Sequence, residues 1–598
     1  MCGIAGVWSK DFSRAVADRL LSGLQKIRHR GPDDVGVSHW DAHSGMGHVG
    51  LGLARLAILD LSAAGHQPMS TTDGRYTISF NGEITNYLEI RQSLVDLGNT
   101  FVSDSDTEVL LTAWSVWGHG CLERLEGMYA FAILDKEEET LTLVRDVFGI
   151  KPLFYSEQPD SLAFCSELVG LYELIPGPPR LDWQAAVDYL LWAAYDHTER
   201  SFVEGVRQLA PAHSVTLDLR TGRLGEPRRY WWPVVQTTFS GSIDESAEIV
   251  RGLFLESVRR NLRSDVPVGV ALSGGIDSSA IVGAIRHLEP TAPIQTFSFV
   301  APGFEESEHE WIDLMVRAVG AQPHAVSSTG SDLFRDLDAM ILAQGEPFGS
   351  TSIYAQYRVF QSVRENGVVV TLDGQGGDEA FAGYHGYPAQ RLHSLIETGR
   401  FRESSRFVQA WAEWPGRSAK QAVMDGMAQF MPAGVSRWRS RTLAKSSPIL
   451  DYAKLRDRNV ELEFPLLFAE SSRGNRVKSH LRAALTRRGL PALLRHGDRN
   501  SMHFSIESRV PFLDRALVEF ALSLPEDHLI GADGTSKNVL RRALRGIVPD
   551  QILDRRDKVG FSTPEQAWLS KANSPYLDGS VGEDAPRKTI VLSLWVVG

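Results

Sequence analysis

Cysteine is scarce in this chain: Cys2, Cys121 and Cys165 are the only three among 598 residues. At such irregular spacing they can build neither a disulfide framework nor a multi-cysteine zinc site, which favours a reducing, cytoplasmic setting. No apolar run is long enough to span a bilayer, and the opening residues lack the charged segment and apolar core of a secretory signal. A basic stretch is missing as well. The 62 Lys and Arg stand against 74 Asp and Glu, a formal charge of −12, so the footprint of nucleic-acid binding is not there. No repeat of solenoid period is found. What remains is an ordinary globular composition, with length for about two to four domains.

The first third carries short apolar or alternating runs, CGIAGVW, YTISFNGEI, YAFAILD and LTLVRDVFG, bounded by Gly, Asn or Asp. These predict strands, and helical spacing around Leu88–Leu97 and Thr107–Trp117 predicts two helices among them. Hairpin-length connections make this an α+β sheet sandwich. DLRTGRLGEPRRYWWP reads as a hairpin running into a linker. Beyond it the rhythm becomes strand, loop, helix. VPVGVAL, IQTFSFV and GVVVTLD predict three strands of a doubly wound parallel α/β sheet, whose ligands gather at the strand C-termini. From about 391 to 494 a helical part follows. The apolar ending TIVLSLWVVG reads as a packed strand or a frayed tail.

Cys2 raises a question by its position directly behind the initiator methionine. It could simply begin a strand as a small buried side chain. Alternatively, removal of the methionine would leave thiol and α-amine on one residue, and an α-amine titrating near pH 8 can take the thiol's proton.

The strongest motif is SGGIDSS, Ser273 to Ser279, between a strand and a helix. Its glycines allow the backbone close to a phosphate, and its hydroxyls and helix N-terminus favour an anion. Asp277 would repel bare pyrophosphate, which calls for Mg²⁺ between them. The motif lacks the GKS ending of a Walker loop. A second glycine turn, LDGQGGDEAFAGY, brings Asp378 to another strand C-terminus, where it and Asp277 could share one metal. SGGIDSS resembles the pyrophosphate loop of the ATP pyrophosphatase superfamily, which implies cleavage of ATP between the α and β phosphates.

Four further motifs follow Cys2 in order: RHRGPDD, GLARLAILDL, FNGEITNY and SDSDTEVLL. Together they resemble the class II glutamine amidotransferase domain, an N-terminal nucleophile fold. With SGGIDSS, SIESRVPFLD and RRDKVGFSTP, the chain resembles the glutamine-hydrolysing asparagine synthetases along almost its whole length. The resemblance implies a glutaminase domain over 2–216, a linker over 217–240 and an ATP pyrophosphatase domain over 241–598.

It also implies roles. Cys2 becomes the nucleophile, with the Asn81 amide and the Gly82 N–H as the oxyanion hole. Arg55 would hold the glutamine α-carboxylate, and Glu83 and Asp106 its α-ammonium. Leu272, Ser273, Gly274, Gly275, Asp277, Ser278, Ser279, Phe299, Asp373 and Gly374 would contact ATP. Asp277 and Asp378 would ligate Mg²⁺, Lys558 would neutralise charge as an acyl-adenylate forms, and Arg509 and Asp514 would be scaffold. The partners implied are the small molecules glutamine, ATP and an acceptor carboxylate, with no nucleic acid and no membrane; a homodimer is compatible with the resemblance. Ammonia would pass between the sites by a dry route.

Aspartate is the acceptor the family suggests. The chain departs from the family pattern, however, with Gln375 where an acid is usual and Asp373 where serine is usual. A neutral amide is no general base, which weakens the case for aspartate. Related enzymes amidate sugar uronates, polyketide starter acids or peptide carboxylates. Others close lactams, usually with a degenerate glutaminase half that this chain does not have.

Overall fold

A computed structural model describes residues 2–11, 14–45, 47–304, 308–414, 473–556 and 563–569, with scattered residues between 418 and 463. Lys558 and the TIVLSLWVVG ending lie outside the described residues.

The N-terminal third is two antiparallel sheets face to face. In the first, Cys2–Ser9 lies between Ser161–Cys165 and His48–Arg55, with Asp34–Asp41 at one edge and Phe154–Gln158 and Arg207–Gln208 towards the other. In the second, Tyr76–Ile84, Gly127–Asp135, Thr140–Arg145 and His213–Asp218 are successive neighbours. Alternation along each strand decides the layers. Cys2, Ile4 and Trp8 join Leu51, Leu53, Ala130, Ala132 and Leu143 in the core between the sheets. The intervening Ala5 turns to Leu20, Leu24 and Leu168 of the helices Arg14–Lys26 and Leu168–Leu174. On the far side, Ile78 and Phe80 pack on Leu94, Val109 and Leu110 of the helices Tyr87–Asp96 and Asp106–Trp117. The result is the expected sandwich, in four layers. Each buried Leu or Ile contributes roughly 1.5–3 kcal/mol over its exposed state. Close contact of the layers needs small residues: a Cβ on Gly6 would stand 2.1 Å from the Phe164 ring.

The second unit is built on a parallel sheet. Its strands, in chain order Val268–Ala271, Gln295–Phe299, Gln322–Val326, Val370–Leu372 and Glu507–Arg509, are arranged 3-2-1-4-5. Three of these were predicted; the second edge pair, Gln322–Val326 and Glu507–Arg509, was not. Order reverses between the first and fourth strands, so their connections leave in opposite directions and open a crevice at their C-termini. SGGIDSS follows the first strand and DGQGGDE follows the fourth. Both glycine loops therefore stand at the switch point. The helices Tyr387–Glu397, Arg476–Thr486 and Leu490–His503 of the helical part pack beside it.

Candidate active sites

Two pockets hold most of the predicted residues. In the first, strand register places Arg55 directly opposite Cys2. Tyr76–Ile84 turns its even-numbered Phe80 and Ile84 outward to the helices, which leaves Asn81 and Glu83 on the inner face. The backbone nitrogen of Cys2 donates to Asn81 Oδ1 at 3.0 Å. That bond fixes the amide so that Asn81 Nδ2, fully buried, has no partner among the described residues. A donor of this kind is available to an oxyanion. Asp106 begins its helix, and its Oδ2 accepts from the Ile84 backbone N–H at 2.9 Å, which sets it beside Glu83. Burial pushes the Cys2 thiol up from its ordinary value, with Arg55 and a hydrogen bond from the Leu56 backbone working against the rise. Burial also lifts Asp106 to about 6 and Glu83 well above the carboxylate range.

The cavity lined by Cys2, Arg55, Gly82, Glu83 and Asp106 encloses only about 20 Å³. A loop closes it. Arg55 donates to the carbonyls of Ser62, at 3.0 Å, and Asp60, at 2.5 Å, and Gly65 lies so near that a Cβ there would meet Arg55 Nη2 at 2.0 Å. The same loop is fastened to the second domain, because Asp60 N donates to Asp265 Oδ2 at 2.9 Å and Asp265 N donates to Ile58 O at 3.0 Å.

The second cavity, about 420 Å³, lies in the crevice of the parallel sheet. Leu272, Ser273, Gly275, Asp277, Ser278, Phe299, Asp373, Gly374 and Asp378 line it; Gly274 and Ser279 do not. Gly274 nonetheless has a reason to be glycine, since its φ is +81° and a Cβ would press on Trp311 at 3.0 Å. The hydroxyls of Ser273 and Ser278 lie 3.0 Å apart, and Ser273 N donates to Ser278 Oγ at 3.1 Å, which shapes the loop ahead of the helix Ile276–Leu288. Asp373 is lifted to about 6 by burial, against hydrogen bonds from the Gln375 and Gly374 backbones.

Sequence reasoning missed the centre of this cavity. Lys537 Nζ sits 2.6 and 2.5 Å from the two oxygens of Asp277 and 2.6 Å from Asp378 Oδ1. Lys537 lies 260 residues from Asp277, and the only local trace is its place ahead of the helix Asn538–Ala543.

It named Arg509 and Asp514 only as scaffold and did not see that Arg509 stands at the seam between the pockets. Arg509 is fully buried and donates to Glu507 Oε1 at 2.6 Å and to the carbonyls of Asn261 and Arg263 at 2.8 and 2.7 Å. Its Nη2 also stands 3.3 Å from Glu83 Oε2 in the Cys2 pocket. The Arg509 carbonyl accepts from Asp373 N at 2.8 Å, so one residue touches both sites. Asp514 caps the helix Arg515–Ser523 by accepting from Leu517 N at 3.0 Å. Arg30 forks Asp498 of the second domain at 2.8 and 2.9 Å and also reaches Glu167 at 2.6 Å. Leu56 and Ile58 of the Cys2 pocket pack with Val370 and Met502 of the second domain in an apolar cluster.

Comparison with known proteins agrees in both halves. The family model described as a glutamine amidotransferase domain matches residues 1–231, and that described as asparagine synthase matches 249–591. Asparagine synthetase [glutamine-hydrolyzing] 1 of Bacillus subtilis is 31% identical over 98% of this chain and 90% of its own length. Asparagine synthetase [glutamine-hydrolyzing] 3 of the same organism is 31% identical over 93% and 86%. A protein of Gibberella zeae named amidase chry2 is 27% identical over 93% and 86%. Two sandwich sheets with Cys2 at their start, joined to a parallel-sheet domain that matches asparagine synthase, make this chain a member of the glutamine-hydrolysing asparagine synthetase family and a glutamine-dependent amidotransferase.

Proposed function

We propose that Cys2 releases ammonia from glutamine and that the second domain uses ATP to activate an acceptor carboxylate, which the ammonia then converts to an amide. The observation that carries this reading is that the two sites meet: Leu56 and Ile58 of the Cys2 pocket pack with Val370 and Met502 of the second domain in an apolar cluster, and Arg509 touches both sites. Ammonia is protonated in water at neutral pH, and a dry seam keeps it nucleophilic.

In the first half-reaction the Cys2 thiolate adds to the side-chain amide carbon of glutamine, and its proton passes through the α-amine, freed by loss of Met1, to the departing ammonia. Asn81 Nδ2 and the Gly82 N–H stabilise the oxyanion, and water then hydrolyses the thioester to glutamate. Arg55 must give up its loop carbonyls to take the substrate carboxylate, so glutamine enters as the loop lifts.

In the second half-reaction the acceptor carboxylate attacks the α-phosphorus of ATP, pyrophosphate leaves, and ammonia displaces AMP from the acyl carbon. The SGGIDSS loop and helix N-terminus cradle the phosphates. The donor set fits Mg²⁺: two carboxylates, Asp277 and Asp378, converge on one point that already attracts a cation, the Lys537 ammonium. Bound there, the ion would neutralise the pyrophosphate. Lys558 is assigned the charge of the adenylate by the family pattern alone. The test is to measure AMP, pyrophosphate and glutamate together: one AMP per glutamate with an acceptor present supports the reading, and ADP as product overturns it. Aspartate is the acceptor the family suggests; the residues lining the cavity favour another class of acid.

A further inference from the structure

Resting on the amidation reading above, we infer that the acceptor is a monocarboxylic acid flanked by neutral amide or hydroxyl groups, without a second charge, and that Gln375 and Gln356 read those groups.

The cavity is chemically two-sided. Its described cations stand on the phosphate side. Lys537 is held by Asp277 and Asp378. Arg541 donates to the carbonyls of Ser536 and Arg555 at 2.8 Å each, and Arg555 to Gly274 O at 3.2 Å and Glu308 at 3.1 Å. The facing wall comes from the helices Ser352–Glu365 and Leu490–His503, which contribute Gln356, Leu493 and His496. No side chain of that wall carries a charge. His496 has both ring nitrogens in contact, Nδ1 with Gln344 Oε1 at 2.6 Å and Nε2 with the Tyr195 hydroxyl at 3.0 Å. Burial and the neighbouring Arg495 hold it neutral.

Gln375 and Gln356 meet over Gly497. A Cβ there would find the Gln375 amide at 3.6 and 3.8 Å and Gln356 Nε2 at 4.0 Å. Gln356 Oε1 is occupied by Asn500 Nδ2 at 3.0 Å, which leaves its Nε2 as a donor. The Gln375 side-chain amide makes no hydrogen bond with any described residue, so it offers a donor and an acceptor together. A pair of this kind matches an amide or hydroxyl neighbour of the reacting carboxylate.

Aspartate asks for something else. Activated at its side chain, it brings an α-ammonium and an α-carboxylate into the cavity. Glu379, fully buried and accepting from the Tyr384 hydroxyl, could answer the ammonium. None of the described lining cations, Lys537, Arg541 and Arg555, stands on the wall of Gln356, Leu493 and His496, and burying a carboxylate there without a partner is strongly unfavourable.

The experiment uses the full chain with ATP, Mg²⁺ and ammonium chloride and follows AMP release with L-aspartate, malonamate, N-acetylglycylglycine and glucuronate. At least one of the three neutral-flanked acids should exceed aspartate tenfold or more in kcat/KM. Gln375→Leu and Gln356→Leu should each raise KM for that acid about tenfold with kcat within threefold, circular dichroism reporting that the variants fold. Preference for aspartate, or a KM that neither variant moves, overturns the inference and leaves the amidation reading standing. No AMP with any of the four acids, while glutamine is still hydrolysed, overturns both.

Discussion

The pocket beside Cys2 encloses about 20 Å³, whereas the crevice above the parallel sheet encloses about 420 Å³. The difference follows from how each sheet supplies its groups. Antiparallel register sets Arg55 opposite Cys2, and the facing sheet brings Asn81 to the Cys2 nitrogen, so on the proposed reading the catalytic groups are preset and the substrate displaces a loop. A parallel sheet delivers only loops to its C-terminal edge, and these leave an open space whose charges hold one another until a ligand arrives. The first pocket is specific by fit, and the second by what its two walls can solvate.

The largest effect should separate the pockets outright. Cys2→Ala removes the proposed nucleophile, so glutamine-dependent amidation should fall on the order of 10⁴-fold while ammonium-dependent turnover survives. Equal loss with both nitrogen sources would mean that the pockets are not chemically independent. The mirror experiment is Asp277→Asn or Asp378→Asn. Each should lower AMP formation on the order of 10²–10³-fold with either nitrogen source and spare glutamate production, because one proposed metal ligand is lost at a highly charged site.

A third change strikes the seam. Arg509→Met leaves Glu83 and Glu507 buried without their shared cation, a loss of about 3–5 kcal/mol in unfolding free energy. A urea midpoint unchanged from the parent would show that the pair carries no such weight. Next comes pH. Asp106 is raised to about 6 in the folded chain, so it holds its proton more tightly there than when unfolded. Its contribution to stability is therefore fully present at low pH and is lost as pH rises between about 4 and 6. Binding of an α-ammonium needs the anion, and so KM for glutamine should climb as pH falls below about 6, up to tenfold per unit; Asp106→Asn should flatten that profile. The smallest effect is expected at the fastened loop. Asp265→Ala removes one acceptor worth roughly 1 kcal/mol, and should change KM for glutamine about fivefold without altering AMP release from ammonium.

The two regions also differed in how plainly the sequence announced them. Cys2, Asn81, Gly82 and Asp106 sit in short runs where alternation and turn residues already say strand or helix start, and SGGIDSS is flanked by an apolar strand and a periodic helix. Glu507–Arg509 gave no such signal. It is a three-residue strand, two of whose residues carry charge, and its burial depends on partners from Asn261, Arg263 and Glu83 far away in the chain. Gln322–Val326 is half-exposed and contains a proline, the marks of an edge strand that periodicity passes over. Lys537 failed for the opposite reason: a lysine is ordinarily a surface residue, and only its convergence with Asp277 and Asp378 makes it central.

The charged seam bears on how such an enzyme could be divided. Cut within residues 217–240, the chain would give each fragment one member of Arg30–Asp498, Glu83–Arg509 and the Asp60–Asp265 contact. Two free polypeptides would have to find each other through these contacts at whatever dilution the cell kept them. The covalent connection replaces that search with an effective concentration on the order of millimolar. Ammonia made at Cys2, on the proposed reading, would then meet its consumer at a distance set by the chain, whatever the abundance of the protein.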